Sequence, residues 1–442
     1  MNAASRFKSH FAPKRLKELY NSKIIYRATV GMDRVVPASF EEKLDDNVEL
    51  VSRKVLSGKY KFTHYREILI SKGRDKSPRV ISIPTIRDKL ALAAFHAVLQ
   101  GVYSAIIEEP LLHTIVSDIA AEISSGKYSS FVKIDITRFY ASIDHEILLK
   151  KVRRKIRKKE ACDFLRNAIS TATVPPNVKI PKETTNEKGV PEGLSISNIL
   201  ADIYLSELKD KLRSRYSMAY FRYVDDILIL CNAENAETIK NEAVYILRQE
   251  FALDAHEEKT LCGSLKDGVP YLGYVFYHDR IGVRPVAIQR IENSIEVLFR
   301  LRSRHAISRG LFEWRLNLKI AGCIYEHKKY GWLFYYSQLT DLKELYHLDW
   351  FVERLFNRFG FEKPAELMRF VRVYHEITKN VSRSRYLINA DRYSVDEKKK
   401  IINSVYSNKS ILLDNEEQIN KLFRKIMFRE IQKLEHDIQN FS

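Results

Sequence analysis

The sequence predicts an α+β fold from the distribution of its apolar residues. Short runs rich in apolar and β-branched residues have the length of strands, and they lie at 129–135, 220–230 and 271–276. The chain before residue 60 and after residue 276 instead spaces its apolar residues as α-helices do. A few strands in the middle of a largely helical chain therefore indicate an α+β protein.

The length and charge of the chain restrict its function. Its 442 residues are 45% hydrophobic, so two or three structural units are expected. The formal net charge of +18 predicts a polyanionic partner, for which nucleic acid is the leading candidate. No apolar run reaches about 18 residues and the N-terminus lacks the apolar segment of a signal peptide, so we expect a cytoplasmic protein without membrane contact.

The four cysteines indicate neither a metal site nor a disulfide framework. They are far apart and lack the paired spacing of zinc ligands. This pattern fits a reducing compartment.

The first 60 residues predict an N-terminal helical extension. Its helical pattern breaks at 36–39, where Ser39 is positioned to cap the next helix. Residues 65–84 favour strands punctuated by Gly73 and Pro78, as in a basic hairpin. We expect this hairpin to lead into a helix that begins near Arg87 and reaches about residue 110.

Three acids are predicted to meet at the ends of strands. Asp135 ends the run 129–135, and the run 220–230 alternates around Asp225 and Asp226, as in a hairpin whose turn lies at the acids. Nucleotide transfer to a 3′-hydroxyl uses two divalent cations about 4 Å apart, and such cations prefer carboxylate oxygens. Taken alone, an acidic pair in an alternating run is more often a solvated turn.

A strongly basic segment follows the first of these acids. Eight of the ten residues at 150–159 are Lys or Arg. Such a run is usually a solvated helix face, but in a nucleic-acid enzyme it predicts phosphate contacts. The residues assigned to those contacts are Lys151, Arg154, Lys155 and Lys158.

Six blocks in order along the chain resemble the reverse transcriptase family. The most specific is Tyr223-Val224-Asp225-Asp226, which resembles the Tyr-x-Asp-Asp hairpin of that family. The blocks lie at 76–88, 133–140, 189–205, 221–228, 258–260 and 271–274. The block at 133–140 is most similar to group II intron and retron enzymes, and the block at 189–205 is similar to abortive-infection and phage-defence enzymes.

The resemblance implies a right-hand polymerase fold and a role for each matched residue. Asp135, Asp225 and Asp226 would hold two Mg²⁺ ions, with Mn²⁺ as an alternative, and the Ile136 backbone would contact a metal and the triphosphate. Tyr140 lies where the family keeps an aromatic that clashes with a ribose 2′-hydroxyl.

Further roles are implied for residues in the other blocks. Lys76 and Arg79 would bind the triphosphate, since Arg can bond phosphate bidentately and Lys acts as a point charge. Lys259 would protonate the departing pyrophosphate. Gly193 would let the backbone approach the template.

Two departures from the family pattern bear on template selection. The family usually has Gln where this chain has Glu192, and Ser-Pro where this chain has Ser197-Asn198. An acid is therefore expected near the nascent base pair. Synthesis without an ordinary template, or from a protein primer, remains an alternative.

The predicted organisation is an extension (1–60), fingers and palm (61–277), and a helical thumb and C-terminal region (278–442). The implied activity is RNA-directed DNA polymerisation in bacterial antiphage defence. Its partners would be dNTPs, a DNA product and an RNA template, for which a dedicated non-coding RNA is one option. A homo-oligomer, a second protein and a catalytically idle RNA-binding relic stay open.

Overall fold

The computed structural model describes residues 2–24, 29–71, 77–106, 111–177, 184–406 and 415–438. Helices predominate in these ranges, and the one at Tyr20–Ile24 is a π-helix. The α-helices are α1 (Ala3–His10), α2 (Pro13–Leu19), α3 (Pro37–Glu41), α4 (Leu44–Leu56), α5 (Ile86–Tyr103), α6 (Leu112–Ser124), α7 (Phe139–Ser142), α8 (His145–Arg153), α9 (Lys159–Ser170), α10 (Ser197–Leu205), α11 (Leu208–Arg213), α12 (Ala233–Phe251), α13 (Pro285–Ser303), α14 (Arg309–Ala321), α15 (Trp332–Tyr335), α16 (Lys343–Phe359), α17 (Phe370–Lys379), α18 (Val395–Val405) and α19 (Glu416–Ile438).

The strands of the described residues form four small sheets. Their orders are β2-β1-β4, β5-β6-β3-β7, β10-β9-β8 and β11-β12. The strands are β1 (Tyr65–Ile70), β2 (Arg79–Ile83), β3 (Ser130–Ile134), β4 (Thr173–Val174), β5 (Ala219–Tyr223), β6 (Asp226–Cys231), β7 (Leu261–Ser264), β8 (Val269–Tyr271), β9 (Tyr274–Phe276), β10 (Ile281–Val283), β11 (Cys323–Tyr325) and β12 (Lys328–Tyr330). This combination of helices and mainly antiparallel sheets confirms the predicted α+β class.

The four-stranded sheet is built around β6, whose six residues are all buried. On one side β6 pairs antiparallel with β3, and on the other with β5. Buried central strands read as continuous apolar runs because both faces are covered. The sequence Ile227-Leu228-Ile229-Leu230 has this character, which explains why β6 takes the central position.

The chain divides into two compact units, of which the first comprises Met1–Leu112 and Tyr128–Gly263. Its core includes the N-terminal helices, since the Phe7 ring lies 6.2 Å from Phe95 and the Phe11 ring lies 5.5 Å from Phe164. The N-terminal helices therefore share the core of the central sheet's unit. The predicted boundaries at residues 60 and 277 remain predictions about functional regions.

The second unit comprises His113–Lys127 and Ser264–Ser442. Phe299 of α13 lies at the centre of one cluster, with its ring 5.0 Å from both Phe312 of α14 and Phe356 of α16. A second cluster joins α18 and α19 through buried residues such as Ile402 and Met427. In the described part of the chain, no helix is both long enough and apolar enough to cross a membrane.

Several sequence-based predictions of local structure are confirmed. The predicted strands pair antiparallel as β1 and β2, whose connection includes residues 72–76, outside the described residues, and α5 begins at Ile86 after the capping residue Thr85.

Two local predictions are wrong. Ser39 is not a helix cap, since α3 begins two residues earlier at Pro37, whose fixed φ suits the first helical position. The run 271–276 is not one strand: it comprises the last residue of β8, a two-residue turn at Leu272 and Gly273, and the whole of β9. Leu272 and Gly273 both have positive φ there, at 48° and 81°, as two-residue hairpin turns require.

Asp88 provides a test of what holds the first unit together. This fully buried carboxylate accepts hydrogen bonds from the Tyr60 hydroxyl at 2.7 Å and the Thr63 N–H at 3.0 Å, and Arg87 pairs with it at 3.0 Å. Asp88→Ala would leave these donors buried without their acceptor, so we expect a loss of about 3 kcal/mol in unfolding free energy. Thermal denaturation checks this. The control Asp45→Ala, which removes an exposed pair with Lys17, should leave the midpoint nearly unchanged.

Candidate active site

Strand register brings the predicted acids together. Ile134 of β3 is paired with Ile227 of β6, so Asp135, which follows β3, and Asp226, which opens β6, lie at adjacent strand ends. Both residues are only 6% exposed. Asp225 occupies the two-residue turn between β5 and β6, as the sequence predicted.

The turn that carries Asp225 has an unfavourable backbone conformation. Val224 has φ 59°, a region that β-branched residues rarely adopt. Arg222 holds this turn: its guanidinium donates one hydrogen bond to the Val224 carbonyl at 3.0 Å and another to the Asp202 carboxylate at 2.7 Å. Strain of this kind persists where the surrounding structure fixes the backbone, often at functional sites.

The acids lie in an environment that opposes their ionisation. Burial, with the neighbouring carboxylates of Asp225 and Asp135, raises the pKa of Asp226 to about 6, although the Lys133 charge acts against them. The pKa of Asp225 is also raised, first by burial and then by Asp135. A cation bound among these carboxylates would relieve this cost.

Two lysines partly neutralise the acids. The Lys133 ammonium lies 3.9 Å from Oδ1 of Asp226, and the Lys259 ammonium lies 3.4 Å from Oδ2 of Asp135. Sequence reasoning predicted Lys259 but missed Lys133. The position of Lys133 could have been predicted, because Lys133 and Asp135 are two residues apart in an extended segment and therefore share a face.

The donor set fits a divalent metal that shares its coordination with a substrate. Among the described residues, no group of three or more His, Cys, Asp or Glu side chains is arranged to enclose a metal ion alone. Mg²⁺ in nucleotide-transfer sites is usually held by one or two carboxylates together with water and substrate phosphates. The carboxylates of Asp135, Asp225 and Asp226 supply the hard oxygen donors for such an open site.

Tyr140 lies beside this acidic cluster. Its hydroxyl donates a hydrogen bond to Oδ1 of Asn198 at 2.7 Å, and burial, followed by the charge of Asp225, raises its pKa. Its backbone carbonyl accepts a hydrogen bond from the Val190 N–H at 2.8 Å. Asn198, one of the departures from the family pattern, thus fixes the Tyr140 ring.

Arg79 of β2 forms an ion pair with Glu192, the other departure from the family pattern. The link is reinforced by the backbone, since the Ser82 N–H donates to the Glu192 carbonyl at 2.7 Å. The charges of Arg79 and Glu192 both influence the pKa of Asp225, so the pair lies near the acidic cluster. Lys76, the other predicted triphosphate ligand, lies outside the described residues.

Gly193 is required by close packing. It has φ 98°, and a Cβ at this position would lie 2.8 Å from Cγ2 of Ile81 on β2. Its predicted contact with a template remains a prediction, but the structure gives an independent reason for glycine here.

Ile136 continues from β3 as an isolated antiparallel bridge to Ala255. The backbone groups on either side make the bridge bonds: the His256 N–H donates to the Asp135 carbonyl at 2.8 Å, and the Thr137 N–H donates to the Asp254 carbonyl at 2.9 Å. The N–H and carbonyl of Ile136 therefore point away from Ala255.

The basic segment is less exposed than the sequence suggested. Lys151 is only 8% exposed and pairs with Glu207 at 3.3 Å, so its phosphate contact stays a prediction that would require this pair to open. Arg154 is exposed but also pairs with Glu207. Lys155 and Lys158 extend over the rings of aromatic residues, and their phosphate contacts remain predictions.

The chain is similar to proteins of one family. The profile described as "Reverse transcriptase (RNA-dependent DNA polymerase)" matches residues 70–276. "Protein YkfC" of Escherichia coli (strain K12) is 22% identical, over 56% of this chain and 75% of its own length. "Group II intron-encoded protein LtrA" of Lactococcus lactis subsp. cremoris is 21% identical, over 65% of this chain and 59% of its own length.

A telomerase from Candida albicans, solved with a fragment of telomeric RNA, aligns with 90% of this chain and 67% of its own. The identity is 12% and the TM-score is 0.44, too low for the alignment to bear on function. The fold class therefore rests on the elements of the chain itself.

The raised pKa of Asp226 predicts that this acid destabilises the metal-free protein. A pKa of about 6 against an ordinary 3.8 means that the folded state binds the proton more tightly than the unfolded state does. The ionised carboxylate then costs about 3 kcal/mol above pH 6, and this cost disappears as the pH falls from 6 towards 4. Asp226→Asn should therefore raise the melting temperature in EDTA at pH 8, by less near pH 5, and not below pH 4.

The control for this experiment is Asp254→Asn, whose carboxylate is 71% exposed. It should show little gain at any pH. An equal gain in both variants, or no gain at pH 8 for Asp226→Asn, would contradict the burial argument.

Proposed function

We propose that this chain, whose residues 70–276 match the reverse transcriptase profile, adds dNTPs to a 3′-hydroxyl with two divalent metal ions held by Asp135, Asp225 and Asp226. The observation that carries the proposal is the convergence of three acids at the ends of β3 and β6, where burial raises the pKa values of the last two. Mg²⁺ is the proposed ion, with Mn²⁺ as the alternative.

The chemistry supplied by such ions is activation of the 3′-hydroxyl and neutralisation of charge on the transferred phosphorus. The residues of the chain position the reactants. The turn fixed by Arg222 sets the orientation of Asp225, and the Ile136 backbone groups are free of the bridge to Ala255 and can face a phosphate. Positioning of this kind accounts for much of the catalysis in phosphoryl transfer.

The remaining proposed roles depend on where each side chain lies relative to the three acids. Arg79, whose charge acts on Asp225, is proposed to bind the triphosphate, and Lys76 is proposed to assist it. Lys259, 3.4 Å from Asp135, is the proposed proton donor to pyrophosphate. Tyr140, held by Asn198, is proposed to exclude a ribose 2′-hydroxyl.

We further propose an RNA template, a DNA product and a cytoplasmic role in antiphage defence. The charge of +18 and the exposed part of the basic segment support the RNA contact. The similarity of the block at 189–205 to phage-defence enzymes supports the biological role. A catalytically idle relic is disfavoured, because all three acids are present and brought together.

Asp225→Asn tests the proposed mechanism. An amide lacks the charge needed to hold a divalent cation, so we expect the rate of dNTP incorporation to fall by about a thousandfold, a loss of about 4 kcal/mol in transition-state stabilisation. The measurement is primer extension on an RNA template with Mg²⁺, together with circular dichroism to show that the fold is retained.

The matched control is Asp254→Asn, an exposed acid near the same sheet, which should retain activity. Wild-type incorporation by the Asp225→Asn variant would remove this residue from the site. If the wild type incorporates dNTPs without an RNA template, the assignment of the acids stands, but the reaction is the untemplated alternative.

Glu192→Gln tests the ion pair with Arg79. Glu192 neutralises the arginine and adds a negative charge near Asp225, and both effects oppose binding of an anionic triphosphate. We expect the variant to lower KM for dNTPs about two- to fivefold, the magnitude of a partly exposed ion pair, with little change in kcat. Arg79→Gln is the opposing control and should raise KM. An increased KM in Glu192→Gln would instead show that the pair holds Arg79 in its productive position.

A further inference from the structure

Helix α16 exposes two large aromatic side chains on one face. Tyr346 is 59% exposed and Trp350 is 50% exposed, although the opposite face of the helix is buried through residues such as Leu345 and Leu348. Residues four apart in a helix are neighbours on its surface. The two rings therefore form a continuous aromatic surface, which a folded chain does not need for its own core.

Cations continue the same face. The Arg354 guanidinium lies 5.0 Å from the centroid of the Trp350 ring, and Arg358 follows one turn later. The His347 ring lies 5.6 Å from Trp350 with its plane tilted by 34°. From Tyr346 to Arg358 this row spans about 18 Å, at 1.5 Å per residue.

The acids near this face pair with side chains other than Arg354. On α13, Glu292 bonds to His347 at 2.6 Å and Glu296 pairs with Arg358 at 3.2 Å. On α16 itself, Glu353 pairs with Lys363 at 3.3 Å. Arg354 lies over the Trp350 ring instead, so positive charge remains beside the exposed aromatic surface.

We propose that the face formed by Tyr346, Trp350 and Arg354 binds single-stranded nucleic acid, with bases stacked on the two rings and phosphate contacts from Arg354. Exposed aromatics interleaved with cations are the means by which single strands are bound without sequence preference. A duplex does not fit this surface, since its bases are already stacked on one another. The site belongs to the second unit and shares no residue with the proposed active site, so it extends the proposed function.

The tryptophans of the chain make this proposal measurable. They are Trp314, Trp332 and Trp350, all in the second unit, so quenching that is lost when Trp350 is replaced reports an oligonucleotide at Trp350. Titration of the full chain with oligonucleotides of about eight residues should quench the emission, since that length suits a small stacking site. Trp350→Phe should abolish the quenching while anisotropy of a labelled oligonucleotide shows that binding persists.

Variants on either side of Trp350 test the two kinds of contact. Tyr346→Ala should weaken binding, read from Trp350 quenching, by about fivefold to about a hundredfold, the usual effect of losing one stacked base. Arg354→Gln should reduce the slope of log affinity against log salt by up to about 0.7, the value for one phosphate of a single strand. The matched controls are Tyr245→Ala, another exposed tyrosine, and Lys400→Gln, another exposed cation, and neither should change the titration.

RNA and DNA oligonucleotides are titrated separately, because the bases of both can stack on the two rings. The one that binds with higher affinity identifies the kind of nucleic acid that this face recognises. Quenching that persists in Trp350→Phe, or unchanged affinity in Tyr346→Ala, would overturn the proposal. A further outcome would also overturn it: oligonucleotides cause no quenching, the wild type self-associates in sedimentation experiments, and Trp350→Ala abolishes that self-association. The face would then bind a second copy of the chain.

Discussion

The antiparallel pairing of β3 with β6 is the constraint on which the rest of the site depends. Pairing of Ile134 with Ile227 places Asp135 beside Asp226, and the two-residue connection to β5 then adds Asp225. A slip of one residue would turn every side chain of β3 to the opposite face. The buried apolar runs of both strands therefore determine more than stability, because their register also determines where charge accumulates.

Much of this site could be predicted from the sequence, because its information is local. An acid at the end of an apolar strand and an acidic pair at a hairpin turn can be read from alternation alone, and both were found where expected. The ion pair between Arg79 and Glu192 could not be predicted, since the partners are 113 residues apart and meet only through folding. The interior position of Lys151 was missed because a charge run gives no indication of which member has a buried partner.

The two departures from the family pattern have related structural effects. Glu192 pairs with Arg79 through its side chain and contacts β2 through its backbone, while Asn198 accepts the hydrogen bond of Tyr140. Both substitutions therefore act on side chains that border the acids, without replacing an acid. This arrangement preserves the three acids while changing the polar groups that border them.

The strained turn at Val224 has a consequence for how this sequence can diverge. The turn is held by Arg222, and Arg222 is in turn oriented by Asp202 from α10. Replacing either residue alone would break the ion pair between two side chains that are only 14% and 16% exposed. Positions 202 and 222 should therefore covary among homologues, and lineages that lose the pair should acquire glycine at position 224, where the backbone no longer needs restraint.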